Sequence, residues 1–128
     1  MINLIDILSI VHTRLKLTVA KLCSNTGTTN SDAPQAFPYL YVCQEDNSST
    51  SEDLENNENA VISVIKLETY SKTSVTEAKK IMSLANDEMR SMGYQRKFGP
   101  QEVTNAADTK IKRVVARFQR LVCNDDEI

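Results

Sequence analysis

The stretch "SVTEAKKIMSLANDEMRSMGY", Ser74 to Tyr94, constrains the fold more than any other part of the chain. Ser74 and Glu77 stand at capping-box spacing: the Ser74 hydroxyl is expected to accept from the Glu77 amide while the Glu77 side chain returns to the Ser74 amide. Ala78, Ile81, Met82, Ala85, Met89 and Met92 then recur at intervals of three and four, one apolar stripe of an amphipathic helix. Gly93 supplies the left-handed residue that ends it. A helix is therefore predicted over Ser74–Met92, with its three methionines read as adaptable core filling. Immediately before it, "AVISVIKLETYS" alternates: Val61, Ser63, Ile65 and Leu67 point one way, Ile62, Val64, Lys66 and Glu68 the other. This predicts a strand over Ala60–Tyr70, apolar on both sides in its first half and on one side in its second. It is the pattern of a central strand whose end emerges from the core.

The other elements follow from the same periodicities. Leu4, Leu8, Val11, Leu15, Val19 and Leu22, with Ile7 flanking, mark a first helix from about Asn3 to Leu22, capped by Asn3. "SNTGTTNSDAPQAFP" mixes Gly, Ser, Thr, Asn and Pro, so about 24–38 is expected to be a flexible connecting arm. Pro38 holds Phe37 extended, and "YLYVCQ" predicts a strand over Tyr39–Gln44. The polar segment of about 45–59 has almost nothing to bury and is expected to be an acidic mobile loop. "YQRKFGPQEV" predicts a short strand broken by Gly99 and Pro100, "TNAADT" a turn, and "IKRVVARFQRLVC" a long strand over Ile111–Val122. The expected fold is α/β in the broad, α+β sense: α-β-β-α-β-β, with a four-stranded, mainly antiparallel sheet and helices on one face, residues 1–128 forming one domain.

The last strand carries three arginines. Alternation puts Val114, Ala116, Phe118 and Val122 on the face beneath the second helix, and Arg113, Val115, Arg117, Gln119 and Leu121 on the open face. Arg120 falls on the apolar side near an end, where it can snorkel out. Formal charge sharpens the picture. Of 17 acidic residues, nine fall at Glu45, Asp46, Glu52, Asp53, Glu55, Glu58, Asp125, Asp126 and Glu127, so the remaining 8 face 15 bases, a net of +7. A basic body with an acidic loop and tail suits a charged assembly surface as well as nucleic acid.

Chemistry-bearing motifs are sparse. The chain has one histidine, His12, set in an amphipathic helix and read as a packing or surface residue, and three widely spaced cysteines without a CxxC pair, read as reduced thiols. It has no phosphate-binding glycine fingerprint and no metal-ligand spacing, and Asp87–Glu88 reads as a solvated pair. No catalytic, cofactor-binding or metal residues are assigned, no cofactor is expected, and the chain is not read as an enzyme. No apolar run reaches the roughly 18 residues of a membrane span, and the start lacks the features of a signal peptide, so a soluble protein acting where it is made is expected.

In this order, "FPYLYV" entering a first strand, a polar loop, a strand ending "LETYSKT" before a capped helix, that helix ending "MGYQR", and a terminal strand with "RVVARFQR" resemble the minor-capsid or tail-completion family of tailed phages and phage-tail-like particles. The resemblance spans about Phe37 to Val122 and is nearest to the tail terminators. It implies a structural virion-assembly protein: a homo-oligomeric, hexameric ring that caps the head-proximal end of the tail tube, ends its polymerisation and joins tail to head or collar. The implied partners are the tail tube protein, the head–tail connector or collar and, as a further candidate, the tail sheath, with DNA only as cargo through the lumen and no membrane. The implied location is the host bacterial cytoplasm during assembly and then the particle's neck. Arg113 and Arg117 are the candidate subunit or lumen contacts, and Glu52, Asp53 and Glu55 the candidate ring–ring contact loop. The longer acidic loop and acidic end depart from the family pattern. Two alternatives stand beside it: another neck protein, such as a head-completion or connector protein, and a nucleic-acid-binding module using the open basic face.

Overall fold

The structure, a computed structural model, describes residues 7–28, 36–52, 58–104 and 110–123, and of residues 46–52, 58–60 and 123 the backbone alone. Among the described residues it is an α+β fold of two helices and a five-stranded mixed sheet. Helix α1 spans Ile7–Val19 and α2 spans Val75–Ser91; the strands are β1 (Asn25–Gly27), β2 (Tyr39–Glu52), β3 (Glu58–Ser71), β4 (Gln95–Thr104) and β5 (Lys112–Cys123). The order across the sheet is β1-β2-β3-β5-β4, with β1 parallel to β2 and every other pair antiparallel.

α2 follows its sequence signal closely. Ser74 is extended and accepts from the Glu77 amide at 3.1 Å. The return half of the capping box is relayed: the Ser71 hydroxyl donates to Glu77 Oε1 at 2.7 Å and accepts from the Thr73 and Ser74 amides at 3.1 and 3.2 Å. Ser71, the last residue of β3, thereby locks strand end to helix start. At the other end Gly93 adopts φ 85°, and the Gly93 and Tyr94 amides donate to the carbonyls of Arg90 and Met89, a paired closure of the last turn. The stripe Ala78, Ile81, Met82, Ala85, Met89 and Met92 is buried as expected.

On α1 the buried line is Ile7, Val11, Leu15 and Val19, strictly four residues apart. Leu8 packs at its margin, and Leu22, expected on the stripe, is 47% exposed because the helix stops at Val19. Asn3 and Leu4 lie outside the described residues. α1 lies against α2, with Arg14 paired to Glu88 at 2.5 Å. Both helices cover the same sheet face, where Leu40, Val42, Val61, Ile65, Leu67, Val114, Ala116, Phe118 and Val122 complete the core. Three hydroxyls buried there are satisfied: Ser63 Oγ and Tyr94 Oη are 2.8 Å apart, and Thr69 Oγ1 donates to the Ala78 carbonyl at 3.0 Å.

Three expectations are corrected. The sheet has five strands, not four, because Asn25–Gly27, in the segment expected as a flexible arm, pairs parallel with Tyr39–Tyr41. The first strand does not end at Gln44. β2 runs on to Glu52 beside β3 through three register shifts, so 45–52 and 58–59, expected as loop, are strand, while 53–57 lie outside the described residues. Backbone pairing needs no apolar side chains once a neighbouring strand supplies the partner groups. Finally, the end of β3 expected to emerge from the core is its better-buried end: Glu68 is 2% and Tyr70 5% exposed. A second apolar cluster of Tyr41, Tyr70 and Ile111, flanked by Phe37, Tyr39 and Cys43, covers it on the helix-free face.

Candidate functional site

The helix-free face of the sheet falls into three zones along the strands. At one end is the aromatic cluster just described, with the Lys72 ammonium 4.8 Å from the Phe37 ring centre. In the middle the charged side chains meet. At the other end Leu121 stands 53% exposed, directly across from Ile62, with Val64 opposite Gln119 beside it.

The middle zone is built by strand register. Tyr70 is opposite Arg113, Glu68 opposite Val115 and Lys66 opposite Arg117, which sets Glu68 diagonally beside Arg113. The Arg113 guanidinium pairs with Glu68 Oε1, and the Tyr70 hydroxyl donates to Glu68 Oε2 at 2.9 Å. Lys66 Nζ lies 3.9 Å from Glu68 Oε1 and 3.8 Å from Glu45 Oε1. Arg117 Nε then reaches both Glu45 oxygens, at 3.0 and 3.3 Å, while its guanidinium sits 5.2 Å from the Phe98 ring centre. One connected polar lattice therefore crosses β2, β3, β5 and β4.

Its electrostatics follow from burial and neighbours. Burial opposes the Arg113 charge, but the hydrogen bond and charge of Glu68 outweigh it and raise the Arg113 pKa. Tyr70 is pushed up by burial first and then by the Glu68 carboxylate it donates to, and Tyr41 is pushed up to about 12, chiefly by its hydrogen bond with Cys43. These tyrosines are proton-holding donors, not bases.

Alternation thus places the sequence-predicted arginines correctly: Arg113 and Arg117 share the open face. The expected basic character of the open face is reduced, since each holds a carboxylate of its own chain. Arg117's partner, Glu45, belongs to the segment expected to be a mobile acidic loop. Arg120 lies on the helix side, with its Nε 3.1 Å from where a Cβ on Gly93 would stand. Of the predicted contact loop, Glu52 closes β2 opposite Glu58, and Asp53 and Glu55 lie outside the described residues. Glu68 and Tyr70, which organise the lattice, were not singled out by sequence. The available signal was an acid and a tyrosine two apart at the end of an otherwise apolar strand.

His12, away from this face, meets Thr26 Oγ1 at 3.1 Å and ties α1 to β1; burial first and Lys16 second lower its pKa. Cys23 is buried, which raises its pKa, and its thiol points to the Asn25 carbonyl at 3.2 Å. Among the described residues no helix is long and apolar enough to cross a membrane. Compared with known protein families and with curated proteins, the chain matches no family and no curated sequence.

Proposed function

We propose that this chain is a structural assembly subunit of a phage or phage-tail-like particle: a tail terminator whose ring caps the head-proximal end of the tail tube and joins it to the head or collar. The observation that carries the assembly reading is the one-sided sheet. Helices cover one face, while the other presents the exposed Leu121, beside Ile62 and Val64, next to a lattice of paired charges. Apolar surface adjoining charges that already hold their counter-ions suits a protein partner, because docking then strands no unpaired ion. A phosphate backbone would instead have to displace Glu68 and Glu45 from Arg113 and Arg117, which weighs against the nucleic-acid reading.

The terminator role itself rests on the motif order from Phe37 to Val122. In such a ring Arg113 and Arg117 face the next subunit or the lumen, and the β2–β3 hairpin reaches toward an adjoining ring. Its partners are the tube, the connector or collar and, in a contractile particle, the sheath. Light scattering and electron microscopy of the purified chain, alone and with tail tubes, test this. Rings that seat on tube ends are expected; a strict monomer that never binds a tube end overturns it.

A further inference from the structure

The end of α2 differs from the open face in how its cations are held. Gly93, at φ 85°, turns the chain sharply into β4, so the last turns of α2 and the first residues of β4 meet across an open cleft of about 480 Å³. Asn86 and Arg90 stand one helical turn apart on one side, Gln95 and Arg96 on the other, with Gly93 and Tyr94 between them. Arg96 reaches this cleft because it lies opposite Phe118 and so projects on the helix side of the sheet. Arg120, on the same side of β5, lies against Gly93, with its Nε 3.1 Å from where a Cβ would stand. Burial raises the Tyr94 pKa, while its bond to Ser63 and the Arg120 charge oppose the rise, so that charge stands near Tyr94 as well.

What holds these cations is neutral. Arg96 Nη1 donates to Asn86 Oδ1 at 3.3 Å, and Lys97 Nζ donates to Gln95 Oε1 at 3.1 Å. Amide oxygens orient such donors without cancelling their charge. No acid lines the cleft, and among the described residues Arg90 and Arg96 take part in no ion pair; Glu88, two positions before Arg90, is held by Arg14. The C-terminal end of α2 brings roughly half a negative charge. Its carbonyls at Glu88, Met89 and Arg90 already accept from the Met92, Gly93 and Tyr94 amides, and Arg90, Arg96, Lys97 and Arg120 together outweigh it.

We propose that this cleft binds a phosphate group, whose oxygens accept from the Arg90 and Arg96 guanidinium groups, with Lys97 at the rim and Arg120 behind Gly93 adding charge. A guanidinium presents a rigid fork of N–H donors that matches phosphate oxygens. Two forks arriving from different elements, α2 and β4, suit a tetrahedral anion with oxygens pointing several ways better than a planar carboxylate, which one fork saturates. The counter-ion argument that weighs against phosphate on the open face is reversed here: at Arg90 and Arg96 no carboxylate has to leave. Free phosphate and a nucleic-acid backbone offer the same chemistry. The site stands independently of the tail role.

Titration of the full chain with inorganic phosphate, followed by amide NMR shifts, tests the site. Shifts are expected at Gly93, Tyr94, Gln95 and Arg96, and R90Q/R96Q should weaken binding roughly tenfold or more. K79Q/K80Q, which removes the same charge elsewhere on α2, should leave it within about twofold. All four substituted side chains are exposed, and thermal melts accompany the assay. R90Q alone, at a side chain with no bond to lose, carries the same test should R90Q/R96Q fail to fold. Anisotropy of a labelled duplex DNA separates the sources: binding that is lost in R90Q/R96Q and displaced by inorganic phosphate assigns the site to backbone phosphate, whereas DNA indifferent to that variant assigns it to the free ion. No phosphate-dependent shift around Gly93, equal weakening in R90Q/R96Q and K79Q/K80Q, or acetate binding as strongly as phosphate overturns the proposal.

Discussion

β5 presents both faces of the sheet within a single strand. Toward the helices, Val114, Ala116, Phe118 and Val122 are fully buried among side chains from α1, α2, β2 and β3, and no direction or charge is specified there beyond shape. Toward the open side, Arg113 and Arg117 each hold one particular carboxylate, and Leu121 is left in solvent. The covered face is stabilised by removal of apolar area from water, which is non-directional and spread over many contacts. The open face is held by a few directed pairs whose members depend on each other. The first should be sensitive to volume, the second to charge.

The largest effect expected is on the covered face. Phe118→Ala should cost about 3–5 kcal/mol in chemical denaturation, as a cavity opens in the fully buried core. Leu121→Ala, three positions along and on the other face, should stay within about 0.5 kcal/mol when measured on the unassembled chain. Equal costs at the two positions would break the distinction. Next comes Glu68→Ala, which deprives Arg113, Lys66 and the Tyr70 hydroxyl of their acceptor at a site only 2% exposed. A loss of about 2–4 kcal/mol is expected. In a double-mutant cycle most of it should vanish in an Arg113→Ala background; additive losses would show that the lattice is not coupled.

The same division explains what was legible in the sequence. The covered face was: α2, its Ser74 cap, its Gly93 stop and the inward residues of β5 all follow from local spacing, because burial imposes periodicity on residue types. The open face was legible only in part. Alternation separated Arg113 and Arg117 from Arg120, but it carries no information about partners on strands distant in sequence, so Glu45 and Glu68 went unrecognised. β1 was hidden because "NTG" has no pattern to display, and it is held by its backbone pairing with Tyr39–Tyr41 and by His12 at Thr26. The outer reach of β2 was hidden for a related reason: polar residues paired through their backbone look like loop. Ser71, whose hydroxyl relays the capping box, was invisible to a rule that scans four residues at a time.

Alkaline titration offers a third way to set the faces apart. Tyr70 and Tyr41 on the open face and Tyr94 on the covered one all have raised pKa values, Tyr94 through burial. Below pH of about 10 they are protonated in both folded and unfolded chains and their contribution to stability is flat. Above it the unfolded chain releases protons that the folded chain retains, so stability falls as pH rises, by up to about 1.4 kcal/mol per pH unit for each tyrosine still protonated. Tyr70→Phe should flatten that slope. A slope unchanged in Tyr70→Phe would show that the open-face tyrosine ionises as freely when folded as when unfolded.

The smallest effect separates the two open-face arginines from each other. Arg117 and Glu45 have 39% and 32% of their side chains exposed, whereas Glu68, the partner of Arg113, has 3%. A pair so open to solvent contributes little, because water and salt screen it and two long side chains lose freedom to hold it. Stacking over Phe98 adds a modest term. Arg117→Ala should therefore cost about 0.5–1 kcal/mol, a loss that shrinks as salt is raised, while Arg113→Ala should cost more and depend less on salt. Denaturation of both variants at low and high ionic strength decides the matter. If Arg117→Ala proves as costly as Arg113→Ala and as indifferent to salt, the lattice is uniformly buried, and the exposed zone of this face shrinks to Leu121 and its neighbours.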